Sequence, residues 1–267
     1  SHGFMDGLSM HYYVHPEGWE KKGSATKFDE KTWYKTLYKA LYIEELIKMH
    51  TNIMDKYDPE KKIGLICDEW GTWFTCEPGT NPGFLYQQST MRDALVAGLS
   101  LNVFNKHCDR VKMANIAQLV NVLQAVILTD GPKMLLTPTY HVFHMYRYHQ
   151  DAELVDSYLE GAKEIGMDED YMVPNIQESV SVDKDGVVTI TLNNLSVTDS
   201  EVMEIAFAEL MPGEVTAAIV TNQMDAYNTF DEPDKVKETA FNDFQIIDKG
   251  ITFTMPACSV VQFRVKK

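Results

Sequence analysis

Cysteine is scarce: Cys67, Cys76, Cys108 and Cys258 are the four in 267 residues, with no Cys-x-x-Cys pair and no spaced Cys/His set of a zinc site. That excludes a disulfide-dense scaffold and favours free thiols in a non-oxidising, cytoplasmic compartment. Positive charge is also short. The chain has 24 Lys+Arg against 39 Asp+Glu, a formal net charge of −15. No basic stretch reverses this locally, so nucleic acid and membrane surfaces are poor partners. Apolar runs such as Val122–Leu128 fall well short of the roughly 20 residues that cross a bilayer, and Ser1–Gly7 has no signal-peptide core, so a soluble chain is expected. Internal repeats and low-complexity tracts are missing as well.

What is present is a globular composition, 45% hydrophobic, long enough for one large or two ordinary domains. The pattern changes near residue 150. Before it, Met5–Val14 reads as a strand. Asp29 or Thr32 opens a helix whose apolar face runs through Trp33, Leu37, Leu41, Ile43 and Ile47 until Pro59. Ile63–Cys67 is a continuously apolar run, as in a parallel strand covered on both faces. A helix around Met91–Phe104, a strand at Val111–Ile116 and a helix opened by Thr137-Pro138 complete a β-α-β-α-β-α series.

From Ser179 onward the residues alternate and are β-branched. Asp185-Gly186 and Lys249-Gly250 mark two hairpins. About seven strands follow, enough for a β-sandwich of roughly 100 residues. The expected division is 1–150 for the α/β part and 151–267 for the all-β part, with Asp151–Pro174 connecting them. Three βα units are too few for a full (β/α)8 barrel, which takes about 200–250 residues. Either the first part is a small open sheet, or the chain is the C-terminal portion of something larger.

Four segments could carry chemistry. Cys67-Asp68-Glu69-Trp70-Gly71-Thr72-Trp73 puts an acidic pair and two indoles where a buried parallel strand ends, the place where α/β folds bind ligands. The rings could wall a sugar face beside a carboxylate nucleophile or proton shuttle. Spacing alone favours a blander reading, a hydrogen-bonded strand-end Glu69 with Trp70 and Trp73 in the core. His11 and Tyr13 share a face of the first strand by its two-residue period, and taken alone a packing role for them is the more probable. Asn115, Gln118 and Asn121 offer amides to substrate hydroxyls or to backbone. His141 and His144 lie at i, i+3, but no carboxylate sits at a zinc-motif offset, so no metal and no cofactor is expected. The 14 methionines are scattered and read as core filler.

In order along the chain, Asp6-Gly7-Leu8-Ser9-Met10-His11-Tyr12-Tyr13, Asp68-Glu69-Trp70-Gly71-Thr72-Trp73, the block from His107 to Val122, and Pro256-Ala257-Cys258-Ser259-Val260-Val261 resemble the C-terminal half of α-L-arabinofuranosidases of glycoside hydrolase family 51. The resemblance implies strands six to eight of a (β/α)8 barrel followed by an antiparallel β-sandwich. It also implies a retaining double displacement on terminal arabinofuranosyl residues of oligosaccharides or polysaccharides. Glu69 would be the nucleophile, His11 and Tyr13 would orient it, Trp73 would lie against the furanose ring, and Gln118 would bind a sugar hydroxyl.

One element of that pattern is missing. The family's acid/base is the Glu of an Asn-Glu pair ending the fourth strand, and the sequence contains no Asn-Glu dipeptide. A retaining glycosidase needs that second carboxyl about 5–5.5 Å from the first. The chain is therefore expected to be an inactive fragment when isolated, and its open barrel edges imply self-association into a homo-oligomer. Two alternatives stand beside this reading: a non-catalytic carbohydrate-binding or structural module, or a related glycosidase acting on xylosides or β-glucans.

Overall fold

A computed structural model describes residues 2–208 and 210–267. Strand β1 (Gly7–Val14), helix α1 (Glu30–Tyr57), strand β2 (Gly64–Thr72), helix α2 (Met91–Lys106) and strand β3 (Val111–Ile116) form a three-stranded sheet in the order β1-β2-β3. Both pairings are parallel. A hairpin of β4 (Ile127–Asp130) and β5 (Lys133–Leu136) follows, then helix α3 (Pro138–Tyr146). The hairpin turns at Asp130-Gly131-Pro132 and was not anticipated, because its apolar first strand continues directly from the run at Val122. Asp29 caps α1 by accepting from the Thr32 N–H, and Thr137 caps α3 with Pro138 behind it, as the capping rules require.

The all-β part has one larger sheet and one smaller. β6 (Ile176–Val182), β7 (Val188–Asn194), β9 (Glu214–Thr221) and β12 (Ser259–Lys266) lie in the order β9-β12-β7-β6, extended at each edge by a two-residue strand, Thr239–Ala240 and Glu153–Leu154. β8 (Glu201–Ala206), β11 (Gly250–Met255) and β10 (Phe244–Ile247) form the second sheet, ordered β8-β11-β10. Ile190, Leu192, Phe253 and Phe263 fill the space between them. Both hairpins expected from Asp185-Gly186 and Lys249-Gly250 are present.

α2 is buried nearly all round, as a helix must be when it packs on two layers at once. One side meets the parallel sheet; the other meets the sandwich, where Asn102 donates to Gln177 and Gln177 donates to the Leu99 carbonyl. Gly98 permits that approach, since a Cβ there would stand 2.3 Å from the Asn193 side-chain oxygen. One apolar cluster runs from Met10, Leu65 and Trp70 through α1 and α2 to Leu195, Val220 and Val260. The methionines divide: Met10, Met91, Met145 and Met255 are core, but Met5, Met49, Met113, Met134, Met167 and Met211 are exposed, so core filler describes only part of them.

Candidate active site

All three parallel strands end on the same side of the sheet, and the candidate residues collect there. Ser9, His11 and Tyr13 alternate with Met10 and Val14, which point into the core. On β2, Leu65, Cys67 and Trp70 face the helices. Pairing runs Met10 to Cys67 and then His11 to Glu69, so Asp68 is an extra residue in the strand. That bulge puts two consecutive carboxylates against one face of β1.

The contacts are specific. The Tyr13 hydroxyl donates to Glu69 Oε2 at 2.6 Å, and His11 Nδ1 lies 3.6 Å from the same oxygen. His11 Nε2 is 3.1 Å from Asp68 Oδ1, which also accepts from the Ser9 hydroxyl at 2.7 Å. One imidazole thus bridges both acids. Burial and the Glu69 carboxylate push the Tyr13 phenol well above the ordinary tyrosine range, so it remains a donor. The Ser9 hydroxyl, helped by His11, holds Asp68 below the usual carboxylate range. The Glu69 side chain is 45% exposed, open to a ligand.

Trp70 and Trp73 separate. Trp70 is 1% exposed, stacked on Phe143 and edge-on to Phe104, so it belongs to the core and not to a sugar wall. Trp73 lies edge-on to Tyr13, with ring centres 5.2 Å apart. Its carbonyl is 3.1 Å from His15 Nδ1, and Trp19 packs against both rings. The three amides also part ways. Asn121 is tied to Thr129 by two hydrogen bonds, whereas Asn115 and Gln118 are exposed. The Ala117 N–H donates to the Trp70 carbonyl, which brings the Gln118 loop beside the end of β2.

A buried amide network fixes the strand end from behind. Gln124 accepts from the Thr72 N–H at 2.8 Å and donates to the Asp93 carbonyl; Gln87 accepts from the Phe74 N–H at 2.7 Å. The Thr72 hydroxyl donates to Asp93. Gly71, at φ +131°, lies where a Cβ would come within 3.0 Å of the Gln124 amide oxygen. Ser9, Asp68, Trp19 and this network carried no assigned role in the sequence reading. Ser9 was legible, two residues before His11 on the same face; the bulge that recruits Asp68 was not. His144 pairs with Glu238, and no group of three His, Cys, Asp or Glu suited to a metal occurs among the described residues.

Residues 68–259 match the model of the α-L-arabinofuranosidase C-terminal domain. The chain is 45% identical, over 98% of its length, to an intracellular exo-α-L-arabinofuranosidase of Bacteroides ovatus, of which it covers 51%. All of it superimposes on 54% of the family 51 arabinofuranosidase of Xanthomonas axonopodis pv. citri, with a TM-score of 0.96 and 46% identity. A family 51 α-L-arabinofuranosidase of Bifidobacterium longum shares the fold at a TM-score of 0.83 and 22% identity. The chain spans about half the length of these relatives.

Proposed function

Because this chain belongs to the α-L-arabinofuranosidase C-terminal domain family, we propose that its sheet end supplies the nucleophile half of a retaining α-L-arabinofuranosidase site. Glu69 attacks the anomeric carbon; His11 and Tyr13 orient it; Trp73 borders the furanose ring; Gln118 binds a hydroxyl. The observation carrying this is the clamp on one Glu69 oxygen, 2.6 Å from the Tyr13 hydroxyl and 3.6 Å from His11 Nδ1. A carboxylate open to water, with one oxygen bonded by the Tyr13 hydroxyl and faced by the His11 ring, is oriented for attack rather than spent on a Lys or Arg.

Asp68 does not serve as the proton donor, since Ser9 and His11 favour its ionised form. The family's acid/base is the Glu of an Asn-Glu pair that this sequence lacks, so on this reading the proton donor lies outside it and the isolated chain turns over negligibly. On this reading 1–150 is part of the catalytic (β/α)8 barrel, about strands six to eight, and 151–267 the sandwich with its connecting segment. The substrate is a terminal arabinofuranosyl residue of an oligosaccharide or polysaccharide. The compartment is intracellular, as the Bacteroides relative is named and as the free thiols favour. Titration with L-arabinose, followed by NMR, tests the site: His11, Tyr13 and Trp73 signals shift together and His11→Ala abolishes the response. Shifts confined to the sandwich would favour a non-catalytic binding module.

A further inference from the structure

One loop of the sandwich reaches across to the α/β part. Residues 222–238, between β9 and the two-residue strand Thr239–Ala240, leave the larger sheet and lie against α2 and the β4–β5 hairpin. The N–H of Met91, the first residue of α2, donates to the Ala226 carbonyl, and Tyr227 pairs with Thr90 in an antiparallel bridge. Phe230 packs against Ala125, Leu128 and Leu135, the buried residues in and beside the hairpin. Asn228 is the polar centre of this contact. It is 1% exposed; its amide oxygen accepts from the Val236 N–H at 2.7 Å, and its nitrogen donates to the Val236 and Leu136 carbonyls, both at 2.8 Å. The bonds to Val236 close the loop on itself, and the bond to Leu136 ties it to the last residue of β5.

The hairpin in turn holds the loop that carries Gln118. Ile127, opposite Leu136 in the ladder, donates to the Leu119 carbonyl at 3.1 Å and accepts from the Asn121 N–H at 3.0 Å. The Asn121 side chain adds two bonds to Thr129, at 2.7 and 2.8 Å. Gln118 and Leu119 are themselves exposed, so little packing stiffens this loop and its shape depends on those bonds. An exposed amide binds a sugar hydroxyl well only when its backbone is already still, because ordering it on binding would cancel the gain.

We propose that Asn228 is a positioning residue of the sugar site: by holding the foot of the hairpin it fixes the loop on which Gln118 meets a substrate hydroxyl, so the sandwich helps to shape that site. This rests on the reading of Gln118 as a sugar-binding residue beside Glu69. The test compares the full chain with Asn228→Ala and, as a control for lost stability in the sandwich core, Val261→Ala. Without ligand, hydrogen exchange at the Asn121 and Ile127 amides quickens about tenfold in Asn228→Ala and stays unchanged in Val261→Ala. In L-arabinose titrations Asn228→Ala and Gln118→Ala each weaken binding by about three- to tenfold, and the double variant binds no worse than Gln118→Ala, because one residue acts through the other. Asn228→Asp, which keeps the acceptor for Val236 and loses the tie to Leu136, gives the same two results if the alanine variant does not fold. Unchanged exchange in the Asn228 variants, equal quickening in Val261→Ala, or additive losses in the double variant overturns the inference. Failure of the Glu69 reading shows separately, as an arabinose response that is absent or that His11→Ala leaves unchanged while the exchange result stands.

Discussion

The Tyr13 hydroxyl donates to Glu69 Oε2 across two parallel strands, at 2.6 Å. Each residue sets the chemistry of the other: the phenol orients the carboxylate, and the carboxylate, together with burial, keeps the phenol protonated. Glu69→Gln should therefore lower the Tyr13 pKa toward the ordinary tyrosine value while leaving the fold intact. Alkaline titration of carbon-labelled tyrosine by NMR reads this directly. An unmoved Tyr13 signal would mean that the contact has no energetic weight.

The two neighbouring indoles should behave oppositely. Trp70→Ala empties a core position and should cost about 3–5 kcal/mol in urea unfolding. Trp73→Ala, at the rim, should cost much less stability but weaken the arabinose response. Equal stability losses would contradict the division between core and site.

Much of this was legible beforehand. The parallel strand at Ile63–Cys67 showed in its uninterrupted apolar run, the hairpins in their Asx-Gly and Lys-Gly turns, and the helix starts in Asp29 and Thr137-Pro138, because those signals are local. Glu69, His11 and Tyr13 were joined only through the family resemblance, not from spacing. Their meeting depends on strand register, and the Asp68 bulge shifts that register by one residue. The roles of Gln87 and Gln124 were hidden for the same reason: each bonds backbone from a distant loop.

Gln124→Ala should leave the buried Thr72 N–H without its acceptor, a loss of about 1–3 kcal/mol. Because Thr72 adjoins Trp73, the Trp73 indole signal should broaden or shift as well. Loss of stability with an unchanged Trp73 signal would mean that the amide supports the core but not the site.

His149 is held neutral by burial against Ser181 and Thr191, its pKa lowered to about 4 from 6.5. In the unfolded chain it takes a proton near pH 6.5, and in the folded chain only near 4. Its contribution to stability is therefore full above about 6.5 and is lost as pH falls toward 4. Unfolding midpoints measured across that window should drop, and His149→Gln should flatten the slope.

β1 is an edge of its sheet, and Phe4, Met5, Leu8, Ile53 and Tyr57 are exposed near it. Such an edge promotes association between chains. Sedimentation at rising concentration should show oligomers, diminished by Leu8→Lys; a monodisperse monomer throughout would count against this.

The identity of the nucleophile is best tested with dinitrophenyl α-L-arabinofuranoside, whose leaving group departs as a stable anion and needs no proton. Attack by Glu69 forms its bond to the anomeric carbon as the phenolate leaves, and without a base to activate water the ester persists. Mass spectrometry of the digested chain should find one arabinosyl group on Glu69, none in Glu69→Gln, and no sustained release of phenolate. A label on another residue, or steady turnover that survives Glu69→Gln, would contradict the assignment.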